Sequence, residues 1–179
     1  MIPRETILAF DDFLAEHSLR LEAVVIGGAA LGLLGVTTRQ TQDCDILHPD
    51  LPELILAAAR RFATERRAAG GNLQDDWLNN GPSQLTDVLP QGWEQRLQAA
   101  FTGAATDLQT LGRADLLKTK LFALCDRGTD LSDCLALTPT ADELSAALPW
   151  LAEQDTNELW PEHVEATLAD LAERLGHGL

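Results

Sequence analysis

The chain has 179 residues, 45% of them hydrophobic but only 5% aromatic and none of them tyrosine, so Leu and Ala must fill most of the interior, which suits packed helices better than a β-sandwich. Its 28 acidic and 13 basic residues give a formal net charge of −15, which repels phosphate backbones at long range and disfavours a broad nucleic-acid groove. A small nucleotide held through metal ions is still compatible with that charge, because the ion inverts the local electrostatics.

Pro3, followed by Ile7, Leu8, Phe10, Phe13 and Leu14, predicts a first amphipathic helix. AVVIGG is a β-branched run ending in paired glycines, and AALGLLGV returns to helical composition. DCDIL is short and alternating, so it reads as a strand. Asp50 then stands where it can cap a helix with Pro52 in its first turn, running through ELILAAARRFATERRAA to Gly70–Gly71. Residues 71–105 hold two turn clusters, NNGPS and LPQGW, with short apolar pieces between them, and TDLQTL is a strand candidate. From Arg113 the pattern is helical: RADLLKTKLFALCDRG, a short LSDCLAL, a third helix with Thr140 and Glu143 as a capping box that Pro149 ends or kinks, and WPEHVEATLADLAERLG. This order predicts an α+β domain over residues 1–112 with a helical part, residues 113–179, packed behind it as one unit.

Several chemistries are excluded. GGAALG puts Ala29 where a dinucleotide fingerprint needs its second glycine, and no Walker GK[ST] occurs. His17, His48, His163 and His177 are scattered, with no zinc spacing. Cys44, Cys125 and Cys134 form no CxxC pair and read as reduced core residues of a cytoplasmic protein. The opening MIPRETILAFDDF is amphipathic and acidic, unlike a secretory leader, and LEAVVIGGAALGLLGV is too short and too interrupted to span a bilayer. Trp77, Trp93, Trp150 and Trp160 read as core or cleft wall, with Trp77 or Trp93 the candidates for a base pocket.

The chemistry concentrates in VVIGGAALGLLGVTTRQTQDCDIL. Side chains alternate along a strand, so Asp43 and Asp45 face one side and Cys44 the other. Paired carboxylates repel, and a cation relieves the repulsion; magnesium in particular takes one or two carboxylates plus phosphate oxygens and water. Gly27 and Gly28 let backbone approach a phosphate closely. Arg39, with the hydroxyls of Thr37, Thr38 and Thr41, stands just before the acidic strand, placed to neutralise phosphate or to fix the loop. A Gly-Gly turn or an isolated DxD is commonplace alone; the joint arrangement is far more specific.

These residues resemble the nucleotidyltransferases of the DNA polymerase β superfamily, whose signature is a hydrophobic strand, GG or GS, a helix, and a strand bearing DxD or DxE. Within it the chain looks most like the AbiEii-type toxin group and its small relatives, whose R-x-T-x-D-x-D pattern is matched by Arg39, Thr41, Asp43 and Asp45. The fourteen residues between Gly28 and Asp43 are towards the long end of the superfamily spacing. KTKLFALCDRGTDLSDCLAL is similar to the family's downstream helix, with Lys120, Leu121, Ala123, Leu124 and Arg127 on its pattern and Asp130 and Asp133 at a D-x-x-D spacing.

The resemblance implies a minimal nucleotidyltransferase fold, a small mixed sheet flanked by helices, with a helical C-terminal half. It implies Mg²⁺ or Mn²⁺ on Asp43 and Asp45, a nucleoside triphosphate as substrate, Lys120 on the triphosphate, and Asp130 or Asp133 orienting the acceptor or acting as base. Without it, Lys120 is equally a solvated helix lysine, and Asp126, Asp130 and Asp133 polar residues closing a helix pair. Two-metal members of the superfamily usually add a third carboxylate from a later strand; Asp107 is the candidate here and Asp87 the runner-up. The acceptor would be an RNA end such as tRNA or a protein hydroxyl, with no membrane involved and a cognate protein partner expected by analogy with toxin–antitoxin systems. A non-catalytic nucleotide-binding or toxin–antitoxin partner module is the rival reading.

Overall fold

A computed structural model of the chain describes residues 2–177. Among the described residues there are seven α-helices and one five-stranded mixed sheet, the α+β class expected. Two compact units are present: residues 1–89 with 94–111, and residues 90–93 with 112–179. The second thus begins at Gly112 and adds the short segment Pro90–Trp93.

In the first unit, α1 (Pro3–Glu16) leads to β1 (Leu21–Ile26), which runs directly into α2 (Gly27–Leu33). Then follow β2 (Cys44–His48), α3 (Glu53–Ala68), a two-residue β3 (Leu78–Asn79), β4 (Gln98–Thr102) and β5 (Thr106–Thr110). The strand order is β3-β2-β1-β5-β4. β1 is antiparallel to β2 and parallel to β5, β2 is parallel to β3, and β4 is antiparallel to β5. One face of the sheet buries Leu21, Ala23, Val25, Ile46 and Leu108 in a core shared with Ile7, Phe10 and Leu14 of α1 and Phe62 of α3. An aromatic cluster of Phe10, Phe13, Phe62 and Trp77 fills it; the Trp77 edge meets Phe10 at a centroid distance of 5.1 Å.

Asp11 ties α1 to the β4–β5 turn. Its carboxylate is buried and accepts from the Ala104 and Ala105 backbone N–H groups, both at 2.9 Å. Burial alone would raise its pKa, but those N–H donors outweigh it and hold the group below its ordinary value. Gly103 is required there, since a Cβ at that position would overlap the Asp11 carboxylate.

The second unit contains α4 (Arg113–Arg127), α5 (Leu131–Leu137), α6 (Ala141–Ala152) and α7 (Trp160–Arg174). α4 packs against α5, α6 and α7, and α6 against α7. Gly128, at φ 65°, ends α4 in the left-handed conformation glycine favours. The Thr140–Glu143 capping box forms, and Glu143 also takes a bond from Arg113 Nε at 2.6 Å, which pulls its carboxyl down to about 2.

Four local expectations are corrected. Leu8, counted on the apolar face of α1, is exposed. Asp50 does not cap α3: the N-cap is Pro52, with no side-chain bond. Asp43 precedes β2 by one residue. Pro149 does not end α6, since the helix runs on to Ala152 with the proline inside it. Among the described residues no helix is long and apolar enough to cross a membrane.

Candidate active site

The site candidates of the first unit converge where β1 ends. Antiparallel pairing sets Asp45 opposite Ile26, the residue before Gly27. Cys44 belongs to the core face, so Asp45 rises from the opposite face, as alternation requires. Gly27 has φ 73°, and a Cβ built on it would stand 3.0 Å from Asp45 Oδ2. The carboxylate therefore lies directly over the glycine, in space that only glycine leaves open.

Gly28 is covered in the same way by the loop preceding β2. A Cβ there would meet Thr41 Oγ1 at 3.2 Å, Thr41 Cβ at 3.4 Å and Arg39 Nη2 at 3.9 Å. The Thr41 hydroxyl donates to Asp43 Oδ1 at 3.3 Å, and the Thr37 hydroxyl accepts the Arg39 N–H at 3.1 Å. The structure thus gathers Gly27, Gly28, Arg39, Thr41, Asp43 and Asp45. Asp43 and Asp45 are half-buried, open enough to meet a ligand yet partly shielded from solvent. The Cys44 thiol is fully buried; burial first, and the Asp45 and Asp43 charges next, push its pKa far above its ordinary value, so it supplies no thiolate.

Other candidates stand elsewhere. Asp107 is exposed at the start of β5, paired with Glu22, and within reach of the Thr102 hydroxyl at 3.3 Å. Glu22 is four residues before Ile26, so Asp107 is displaced roughly 13 Å along the sheet from the glycine turn. Its strand is adjacent to β1, but the register takes it to the end away from the glycine turn. Asp87 ends an exposed 3-10 turn. Among the described residues no group of three His, Cys, Asp or Glu side chains is arranged to hold a metal ion.

Lys120, expected on a triphosphate, is buried in the second unit. Its Nζ is 2.7 Å from Asp133 Oδ2 and 3.2 Å from Asp130 Oδ1, and Asp133 is itself buried. Two carboxylates of its own unit hold the ammonium, so it serves as their counter-ion, and Asp130 is engaged as its partner. Trp77 is likewise no base pocket: it is fully buried and its indole N–H donates to the Ala59 carbonyl at 3.1 Å. Trp93 is buried as well.

Beside Asp45, on the side away from β1, stands Asn79 of β3, which the sequence shows only as part of a turn cluster.

A magnesium–nucleotide complex calls for one or two carboxylates beside backbone that can approach phosphate. The two carboxylates match the ion's preference for few protein ligands, and the Asp45 carboxylate stands against the Gly27 backbone, the close approach that a glycine allows. The residues present fit that group. Neither a curated protein nor a solved structure matches the chain. A family model does: the one described as a nucleotidyltransferase of unknown function (DUF6036) matches residues 5–139, which include every residue of this site, and the chain belongs to that family.

Proposed function

We propose that the chain is a magnesium- or manganese-dependent nucleotidyltransferase that moves a nucleoside monophosphate from a nucleoside triphosphate to an acceptor hydroxyl. One observation carries this reading: the Asp45 carboxylate lies over Gly27 while Thr41 and Arg39 lie over Gly28, so acid and glycine backbone are brought side by side. Asp43 and Asp45 would hold the cation, which when bound neutralises phosphate charge and acidifies the attacking oxygen. The Gly27–Gly28 backbone would admit the phosphates, with Arg39 offsetting their charge. Thr41, by donating to Asp43, would hold that carboxylate in register. In the reaction the acceptor oxygen bonds to the α-phosphorus, the bond to the β-phosphate oxygen breaks, pyrophosphate leaves and the acceptor proton passes to solvent.

The acceptor is an RNA end or a protein hydroxyl. The net charge of −15 favours a protein acceptor on a basic partner over a polynucleotide. Kinship with the AbiEii-type group, with a toxin–antitoxin role in the cytoplasm, is carried forward from the R-x-T-x-D-x-D resemblance alone. A second reading, a nucleotide-binding module without turnover, is favoured by one observation: among the described residues no third acid joins Asp43 and Asp45.

Incubation with α-labelled nucleoside triphosphates and cell lysate, followed by nuclease or protease, separates the acceptors. The doubly substituted Asp43→Asn, Asp45→Asn protein should fold and lose transfer. Undiminished incorporation by it would end the catalytic claim, and binding without turnover in the unsubstituted protein would favour the module.

A further inference from the structure

The sheet crosses the candidate site as a row of three residues: Ile26 on β1, Asp45 on β2 and Asn79 on β3. In-register neighbours on adjacent strands share a face and stand about 4.8 Å apart. The Asn79 carboxamide therefore rises beside the Asp45 carboxylate, flanking it opposite to β1. β3 is held there by bonds independent of any ligand. The Cys44 N–H donates to the Trp77 carbonyl, the Trp77 indole is anchored on Ala59, and Leu78 is buried.

The amide has a fixed orientation. Gly81 N–H donates to Asn79 Oδ1 at 2.6 Å, and a Cβ on Gly81 would come within 2.8 Å of that oxygen, so glycine makes the close approach possible. Nδ2 reaches the Asp76 carbonyl at 3.4 Å, a long bond that engages one of its two hydrogens. The oxygen is committed to the turn, and the second Nδ2 hydrogen remains for a ligand. An N–H group repels a cation and matches an oxygen acceptor. A carboxylate at this position would instead extend the Asp43–Asp45 pair into a three-acid site.

We propose that Asn79 is a nucleotide-binding residue of this site, an oriented amide donor to a phosphate or sugar oxygen, standing where a third metal-binding acid would otherwise complete the row. This rests on the reading of Asp43 and Asp45 as the cation seat. It follows that one divalent ion accompanies the nucleotide.

The substitution Asn79→Asp tests it, because aspartate keeps the acceptor for Gly81 N–H and replaces the Nδ2 donor by a charged oxygen. Bound Mn²⁺ is counted by electron paramagnetic resonance with a non-hydrolysable α,β-methylene ATP analogue, and analogue affinity is measured by calorimetry with and without metal. The unsubstituted chain should bind one Mn²⁺ and Asn79→Asp two, with metal-free analogue affinity falling about tenfold, as loss of one hydrogen bond and gain of a like charge require. Repeating the measurement with tripolyphosphate assigns the donor: a similar loss points to phosphate, and a loss confined to the nucleotide points to the sugar. Two ions on the unsubstituted chain, or unchanged count and affinity in Asn79→Asp, overturns the proposal. Failure of the underlying reading looks different: no Mn²⁺ binds the unsubstituted chain with nucleotide, or Asp45→Asn leaves the count unchanged.

Discussion

Gly27 and Gly35 share a φ of 73° but differ in surroundings, so paired alanine substitutions separate backbone strain from the geometry of the site. At Gly35 an added Cβ meets nothing within 4 Å. Gly35→Ala therefore carries only the left-handed penalty, about 1–2 kcal/mol, or roughly 2–8 °C in Tm for a chain of this size. Gly27→Ala carries the same penalty and also places its methyl 3.0 Å from Asp45 Oδ2. Turning the Asp45 carboxylate aside adds at least the cost of an off-rotamer side chain, about 0.5–1.5 kcal/mol. The large difference between the variants should appear with ligand. Measured by scanning fluorimetry, Mg²⁺–ATP should raise the Tm of the unsubstituted protein and of Gly35→Ala alike, while Gly27→Ala, with its carboxylate displaced and its phosphate approach blocked, should show no rise. A full ligand-induced rise in Gly27→Ala, or an equal loss in Gly35→Ala, would refute the reasoning.

Two further substitutions test the buried charges of the fold. Lys120→Met should destabilise by about 3–5 kcal/mol in urea titration, because it strands Asp133, only 1% exposed, without its cation; normal stability with lost nucleotide binding would return Lys120 to the triphosphate. Asp11→Ala should cost about 1–3 kcal/mol, chiefly by removing the acceptor for the buried Ala105 N–H. The Asp11 pKa is lowered in the folded state, so its contribution is full above the ordinary carboxylate range and is lost as pH falls through the folded value. The difference between the unsubstituted protein and Asp11→Ala should accordingly shrink towards low pH, and a constant difference down to pH 2 would contradict it.

Elements with a strong period were legible in the sequence. α1, α3, α4 and α7 carry apolar stripes, and the Thr140–Glu143 box is a local rule fulfilled locally. The proximity of the glycines and acids was legible too, because Gly27, Gly28, Arg39, Thr41, Asp43 and Asp45 lie close together along the chain in one strand–helix–strand unit, although the pleat directs only Asp45, Asp43 standing just before β2. What the sequence concealed depends on contacts distant along the chain. β4 reads QAAFT, with no alternation to distinguish it from a loop, and it exists because β5 pairs with it. The end of the sheet occupied by Asp107 is a matter of register with β1, which composition does not encode. Lys120 fits a phosphate-binding pattern, yet the turn that follows α4 returns Asp130 and Asp133 to it. Asn79 was hidden because two residues pairing with β2 leave no periodic trace.

The central claim is that two acids over a glycine turn form a cation-dependent seat for a triphosphate. Calorimetric titration of ATP into the unsubstituted chain and into Asp45→Asn, each with Mg²⁺ and with EDTA, tests it most directly. Binding should be tight only with the unsubstituted chain and Mg²⁺, and much weaker in EDTA or in Asp45→Asn; equal affinity in EDTA, or in Asp45→Asn with Mg²⁺, would contradict it.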